Sequence, residues 1–258
     1  MEERLPGGNA GGAVLLDGTV RRATGPWSPA VHDLLRHLEQ RGFAGAPRVL
    51  GLDDQHREIL SYLQGETIGT ARPWPVWVHT DDALAQVGRW LGSYHHAVHD
   101  FVPGPGAVWR AGRQEWRPGD VIGHNDAAPY NAVWTSTARP RLVGFVDWDF
   151  ASPCQPIWDL AFTAFSWVPM HARHVVAAEG FTDFAARPRR LRLLLDAYGF
   201  SGSVSTVLDA VRARTAAHAQ GIRDLAAGGD PLFARLVDSG VADAFDQAIT
   251  DLDGVPWT

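Results

Sequence analysis

A proline-rich stretch within residues 66 to 80, "ARPWPVW", separates two parts of the chain whose apolar residues follow different periods. Before it, short apolar runs between polar turns predict β-strands with a single helix. After it, apolar residues recur at helical spacing, with a β-rich interruption near 121–147. This order predicts an α+β protein with two lobes: a small β-rich N-lobe at 1–66, a linker at 67–80 and a larger, mainly helical C-lobe at 81–258.

Several local signals support these elements. Asp17-Gly18 stands between two apolar runs and predicts a hairpin. Ser28 suits the N-cap of the first helix and Gly42 suits its end, while Thr80 suits the N-cap of a second helix. The apolar stripes predicted for the two helices are Val31, Leu34, Leu35 and Leu38, and Leu84, Val87, Leu91, Tyr94 and Val98.

Composition narrows the class of protein. With 258 residues and 45% hydrophobic residues, the chain can bury a sizeable core. The net charge of −6 argues against nucleic acid as a partner, and no apolar run is long enough to span a membrane. The N-terminus lacks the basic-then-apolar pattern of a signal peptide, and Cys154 is the single cysteine, so we expect a cytoplasmic protein without disulfides.

The chain contains no lysine, so all 23 of its Lys+Arg residues are arginine. A GC-rich coding bias would explain this. The chemical consequence is that any function usually given to a lysine must fall to an arginine here.

The segment "VIGHNDAAPYNAVW", residues 121 to 134, places several polar groups between two predicted strands. Asp126 and Asn131 lie within it, and Asp147 ends the next apolar run. If "AVW" and "LVGFV" pair as a hairpin, Asn131 and Asp147 meet at its open end. Their oxygen atoms suit Mg²⁺, and Asp126 could accept a proton from an attacking hydroxyl. Taken singly, each residue also fits ordinary turn chemistry, and His124 fits a buried, hydrogen-bonded histidine.

"HNDAAPYN" resembles the HxDxxxxN catalytic loop of aminoglycoside phosphotransferase-like enzymes, which have a protein-kinase-like fold. "FVDWDFASPCQPIWDLAF" resembles their next motif, which contains a metal-binding aspartate. The resemblance is strong from 121 to 165, fair from 11 to 66 and weak beyond 170. It implies that Asp126 is the catalytic base or orients the substrate hydroxyl, and that Asn131 and Asp147 hold Mg²⁺ on the nucleotide phosphates. It further implies that His124 and Asp159 brace the loop.

Asp149 follows the metal-binding position of this pattern and is a weaker candidate ligand. The resemblance also places the glycine stretch "PGGNAGG", with Gly8 and Gly11, over the nucleotide phosphates. A flexible N-terminus would have the same composition. In "ILSYLQGE" it places the carbonyl of Ser61 and the amide of Leu63 against the base of ATP or GTP, and a plain edge strand is the alternative.

Two departures from the family pattern concern the phosphate-binding side. The usual lysine is replaced in "TVRR", where strand alternation lets one of Arg21 and Arg22 face the cleft. Alignment favours Arg21. The usual helix glutamate falls near Val31 or His32, neither of which is acidic, so the usual ion pair is either missing or rebuilt.

The sequence therefore predicts an ATP- or GTP-dependent phosphotransferase acting on a hydroxyl of a small molecule, with an aminoglycoside-type antibiotic as one candidate acceptor. Two alternatives stay open: a non-catalytic kinase-like binding or immunity protein, and a metal phosphohydrolase. Six aspartates between 230 and 253 form either an acidic wall for a polycation or a solvated face. Trp148, Trp158 and Trp167 either stack on sugar rings or belong to the core.

Overall fold

The computed structural model describes residues 3–5, 12–69 and 72–257. An antiparallel sheet forms the N-terminal part. Its strands are β1 (Glu3–Arg4), β2 (Val14–Leu16), β3 (Thr19–Arg22), β4 (Val49–Leu52) and β5 (Glu58–Ser61). They lie in the order β1-β2-β3-β5-β4. Helix α1 (Ser28–Gln40) connects β3 to β4 and contacts β4.

The C-terminal part is mainly helical. Its helices are α2 (Asp81–Val98), α3 (Pro156–Trp167), α4 (Arg173–Ala178), α5 (Arg187–Tyr198), α6 (Val204–Ala227), α7 (Pro231–Asp238) and α8 (Val241–Asp253). Two small antiparallel pairs lie between α2 and α3: β6 (Val121–Gly123) with β9 (Ser152–Cys154), and β7 (Ala132–Trp134) with β8 (Leu142–Phe145). The predicted α+β division is confirmed, while the boundaries at 66 and 80 stay predictions. In the described part of the chain, no helix has both the length and the apolar character needed to cross a membrane.

The hairpin predicted at Asp17-Gly18 joins β2 to β3, and both residues have the positive φ that such a two-residue turn requires, 51° and 73°. Thr80 caps α2, where its side chain accepts the N–H of Ala83 at 3.3 Å. The predicted cap at Ser28 is wrong. Ser28 is the first helical residue, and its Oγ accepts the N–H of the preceding turn residue Gly25 at 2.9 Å instead.

Both predicted helix stripes are buried and belong to one hydrophobic core. The two parts of the molecule meet at the β7–β8 hairpin. There the carbonyl oxygen of Gly45, just before β4, accepts two N–H groups at 3.1 Å, from the indole of Trp90 and the backbone of Phe145. Glu66 forms a bridge with Trp134 through two hydrogen bonds of 2.9 Å. These contacts place the sheet next to the hairpin that ends at Asp147.

This contact depends on Gly144, whose α-carbon faces the backbone of Gly45. A Cβ at position 144 would overlap the Gly45 carbonyl oxygen, and backbone atoms cannot rotate away from it. Gly144→Ala should therefore lower the free energy of unfolding by about 1–3 kcal/mol, measured by urea denaturation. Gly104→Ala is the control, because a Cβ there meets nothing within 4 Å. Equal stability of the two variants would contradict this packing account.

Candidate active site

The polar segment after β6 forms a tight loop that leads through a 3-10 turn, Pro129–Asn131, into β7. Asn125 adopts a left-handed conformation with φ 60°, which a side chain tolerates best when it is anchored locally. Its amide nitrogen donates to Oγ of Ser152 at 3.0 Å. This anchoring fixes the backbone that leads into Asp126.

Asp126 has a polar partner on each carboxylate oxygen. The hydroxyl of Tyr130 donates to Oδ1 at 2.9 Å, and the amide nitrogen of Asn131 donates to Oδ2 at 2.8 Å. Burial raises the pKa of Asp126 to about 7, and the nearby carboxylate of Asp147 adds to the rise. A carboxyl group with a pKa near neutrality can accept a proton and release it again.

Asn131 and Asp147 lie at the same end of the β7–β8 hairpin, as the sequence predicts. The backbone N–H of Val146 donates to the carbonyl of Asn131 at 3.0 Å, and Asp147 follows with a left-handed φ of 62°. The side-chain amide nitrogen of Asn131 donates to the backbone oxygen and to Oδ2 of Asp126. The side-chain oxygen of Asn131 is therefore not used in these contacts. The side chain of Asp147 is 34% exposed. An amide oxygen and a carboxylate are suitable donors for Mg²⁺.

Within the described residues, no three His, Cys, Asp or Glu side chains are grouped as metal ligands. A cation at Asn131 and Asp147 would therefore complete its coordination with water and with oxygen atoms of a ligand.

Asp159 lies behind the loop, fully buried, and contacts its backbone. Its carboxylate accepts the N–H of His124 at 2.9 Å and the N–H of Asn125 at 2.7 Å. His95 of α2 lies 3.1 Å away through Nε2, a contact that the sequence did not reveal. Burial alone would raise the pKa of Asp159, but the hydrogen bond and charge of His95 hold it below its ordinary value. This geometry fits the predicted bracing role.

His124 is also fully buried. Its ring lies 4.5 Å from the ring of Trp148, centroid to centroid, and its Nδ1 accepts the N–H of Asp126 at 3.3 Å. Burial lowers the pKa of His124, so the ring is neutral at physiological pH and can act as an acceptor. These contacts connect the start of the loop to the core.

Asp149 is held by arginines. Arg110 donates to one carboxylate oxygen at 2.9 Å, and Arg22 contacts the other. Because both oxygens are engaged by guanidinium groups, Asp149 is a poor candidate for a metal ligand. The structure thus distinguishes the two acidic positions of the "VDWDF" motif.

The arginine that reaches this cleft is Arg22, although alignment favoured Arg21. Nη1 of Arg22 lies 3.2 Å from Oδ1 of Asp147. The guanidinium of Arg21 instead contacts Thr19 on its own strand and lies 3.9 Å from Asp53. The predicted orientation of β3 is therefore wrong by one residue. Alternate side chains of a strand point to opposite faces of the sheet, and the sequence alone does not determine which face meets the cleft.

The acid expected on α1 is supplied by β5. Glu58 faces Arg22 in the β3–β5 register and contacts its guanidinium. His32, one of the two α1 positions near which the family pattern predicts a glutamate, lies 2.6 Å from the same carboxylate. The ion pair is thus rebuilt with the acid on a strand. An acidic residue beginning the apolar run "EILSYL" was the available sequence signal.

Of the other predicted nucleotide contacts, Gly8 and Gly11 lie outside the described residues. Ser61 ends β5, where its N–H donates to the carbonyl of Arg48 at 2.9 Å. Leu63 follows in the segment that leads to Glu66 and the β7 strand. This segment connects the two parts of the molecule, and contact of Ser61 and Leu63 with a base stays a prediction.

Three of the six C-terminal aspartates form ion pairs with arginines. Arg223 contacts Asp243 and Asp246 at 2.9 and 2.6 Å, and Arg212 contacts Asp253 at 2.9 Å. Trp148 and Trp167 are core residues, each 2% exposed. The partly buried Trp158 lies under the guanidinium of Arg214, 5.4 Å from ring centroid to Cζ.

Arg214 was not identified from the sequence, and it approaches the loop from α6. Its Nη2 donates to the carbonyl of Asn125 at 3.2 Å. This carbonyl lies one residue before Asp126, so α6 helps to fix the loop from the C-terminal side.

Comparison with known proteins places the chain in a family. Residues 105–194 match the sequence profile of a family described as "APH: Phosphotransferase enzyme family". The trifolitoxin immunity protein of Rhizobium leguminosarum bv. trifolii is 36% identical over 201 residues, which cover 76% of this chain and 74% of that protein.

Three solved structures share the fold at low identity. A choline/ethanolamine kinase family protein from Mesorhizobium loti has a TM-score of 0.60 at 16% identity, covering 97% of this chain and 91% of its own. The GDP and kanamycin complex of APH(2")-IIia has a TM-score of 0.58 at 13% identity, covering 97% and 93%. Macrolide 2'-phosphotransferase MphH from Brachybacterium faecium has a TM-score of 0.56 at 14% identity, covering 95% and 91%. These likenesses confirm the predicted protein-kinase-like fold.

If Asp159 braces the loop, Asp159→Asn should lower the free energy of unfolding by about 3–5 kcal/mol, because buried N–H donors and His95 lose their charged acceptor. Urea denaturation measures this loss. Hydrogen exchange should quicken at the amides of His124 and Asn125. Asp209→Asn is the matched control, since Asp209 is 79% exposed beside Arg212. A stable variant with unchanged exchange at both amides would disprove the bracing role.

Proposed function

Because this chain belongs to the phosphotransferase enzyme family, we propose that it transfers the γ-phosphate of ATP or GTP to a hydroxyl group of a small molecule. The observation that carries the proposal is the convergence of Asp126, Asn131 and Asp147 at the end of one hairpin, next to the sheet. A general base and two oxygen donors for a cation in one cleft are the groups that this reaction uses.

In the proposed reaction, the acceptor oxygen forms a bond to the γ-phosphorus as the bond from that phosphorus to the β–γ bridging oxygen breaks. The products are the phosphorylated acceptor and a nucleoside diphosphate. The hydroxyl proton passes to Asp126, whose raised pKa suits it to receive that proton near neutral pH. Tyr130 and Asn131 keep the carboxylate in one orientation through their hydrogen bonds.

Asn131 and Asp147 would hold Mg²⁺, whose charge neutralises the phosphate oxygens when it is bound. Their oxygen donors and the exposure of Asp147 support this assignment. The chain's own contribution is to fix both donors on one hairpin, so that little reorganisation is needed when the substrates bind.

The nucleotide would lie against the sheet, with its base near Ser61 and Leu63. The sequence supports this arrangement through its resemblance to the family. One similar solved structure contains GDP and kanamycin, which makes GTP as reasonable a donor as ATP. The proposed setting is the cytoplasm, where both nucleotides are abundant.

Asp126→Asn should reduce phosphotransfer by about 10²–10⁴-fold, because the amide cannot accept the hydroxyl proton. Mass spectrometry of acceptor mixtures incubated with Mg-ATP or Mg-GTP would detect a phosphorylated product. Affinity for the nucleotide should be unchanged, since Asp126 is assigned to the acceptor. The exposed Asp238→Asn variant is the control. Full transfer by Asp126→Asn, or no transfer by the wild type across a broad panel of hydroxylated acceptors, would refute the assignment.

A second candidate function is immunity to a toxin by binding alone. The likeness to the trifolitoxin immunity protein favours a protective role, and that role is compatible with either phosphorylation or sequestration. The Asp126→Asn variant separates the two in cells challenged with trifolitoxin. If Asp126→Asn loses both phosphotransfer and protection, the protein protects as an enzyme. If it loses phosphotransfer but still protects, the protein protects by binding.

A further inference from the structure

Glu58 is a carboxylate in the interior of the sheet, with only 1% of its surface exposed. A buried carboxylate stays ionised only where it is paired and hydrogen-bonded. Nε2 of His32 lies 2.6 Å from Oε2, and Nε of Arg22 contacts Oε1. Both oxygens of Glu58 are therefore engaged, one by helix α1 and one by strand β3.

These contacts fix the direction of the Arg22 guanidinium. Because Glu58 and Arg22 are directly opposite in the register, Glu58 binds the Nε side of the group. The two terminal nitrogens then point across the cleft, where Nη1 lies 3.2 Å from Asp147 and Nη2 contacts Asp149. Glu58 binds Nε of Arg22, and the two Nη atoms of Arg22 remain directed at the proposed catalytic site.

The charges of both groups are consistent with this arrangement. Burial would raise the pKa of Glu58, but the hydrogen bond with His32 and the charge of Arg22 hold it below its ordinary value. Burial would likewise lower the pKa of Arg22, but the carboxylates around it raise that pKa instead. Both groups are charged at neutral pH.

We infer that Arg22 binds the phosphates of the nucleoside triphosphate, and that Glu58, held by His32, is the positioning residue that aims it. This inference rests on the proposed function, which puts the phosphates beside Asp147. An arginine fork matches two phosphate oxygens at once. When the nucleotide binds, Nη1 and Nη2 of Arg22 leave Asp147 and Asp149 for phosphate oxygens, while Nε stays on Glu58 and Arg110 stays on Asp149.

A double-mutant cycle on nucleotide affinity tests the inference. Arg22→Gln and Glu58→Gln should each weaken binding of Mg-ATP or Mg-GTP by about 10- to 100-fold, measured by titration calorimetry. If Glu58 acts through Arg22, the double variant should bind no more weakly than Arg22→Gln alone. A merely structural role would give additive losses. Circular dichroism shows whether each variant is folded.

Milder and matched variants keep the test decisive. Should Glu58→Gln not fold, His32→Gln removes one support of the carboxylate and should weaken binding in the Arg22 protein but not in Arg22→Gln. Glu39→Gln, on the exposed face of α1, is the control for loss of a carboxylate. Arg21→Gln should bind as the wild type does.

Additive losses, or a loss that follows Arg21 instead of Arg22, would overturn the inference. Because the readout is binding, a wild type that binds nucleotide through Arg22 without transferring phosphate would refute the proposed function and leave the Arg22–Glu58 assignment standing. If the wild type transfers phosphate but Arg22→Gln binds the nucleotide as tightly as the wild type, the proposed function stands and the Arg22–Glu58 assignment is refuted.

Discussion

Ion pairs of the Arg22 guanidinium link the N-terminal sheet to the end of the β7–β8 hairpin, where the catalytic site is proposed. The guanidinium contacts Glu58 on the neighbouring strand, and across the cleft it contacts Asp147 and Asp149. The buried Glu58 needs this cation to remain ionised, and the two aspartates gain a counter-charge from it. The cleft where the reaction is proposed to occur is thus organised around one arginine.

A second, deeper set of contacts holds the backbone of the proposed catalytic loop in one conformation. Asp159 binds two consecutive backbone N–H groups from below, and Arg214 binds the next carbonyl from the side of α6. Asp126 therefore projects from a loop whose backbone is fixed at several points. Such preorganisation is what a phosphotransferase requires, because its protein part mainly positions groups and compensates charge.

The sequence was most informative where function depends on short-range spacing. Asp126, Asn131 and Asp147 belong to one loop and one hairpin, so their convergence follows from local strand pairing. Glu58 was missed because its partners are distant in sequence, 36 residues away at Arg22 and 26 at His32. Alternation could not choose between Arg21 and Arg22, since the face that meets the cleft is decided by packing against the other lobe.

The central claim is that phosphates lie between Arg22 and the Asn131–Asp147 end of the hairpin. A crystal structure with Mg²⁺ and a non-hydrolysable analogue of ATP or GTP tests it most directly. We expect the γ-phosphate within hydrogen-bonding distance of Arg22, a cation bound by Asn131 and Asp147, and the Asp126 carboxylate facing the phosphorus. A nucleotide bound elsewhere, or phosphates held away from both Arg22 and Asp147, would contradict it.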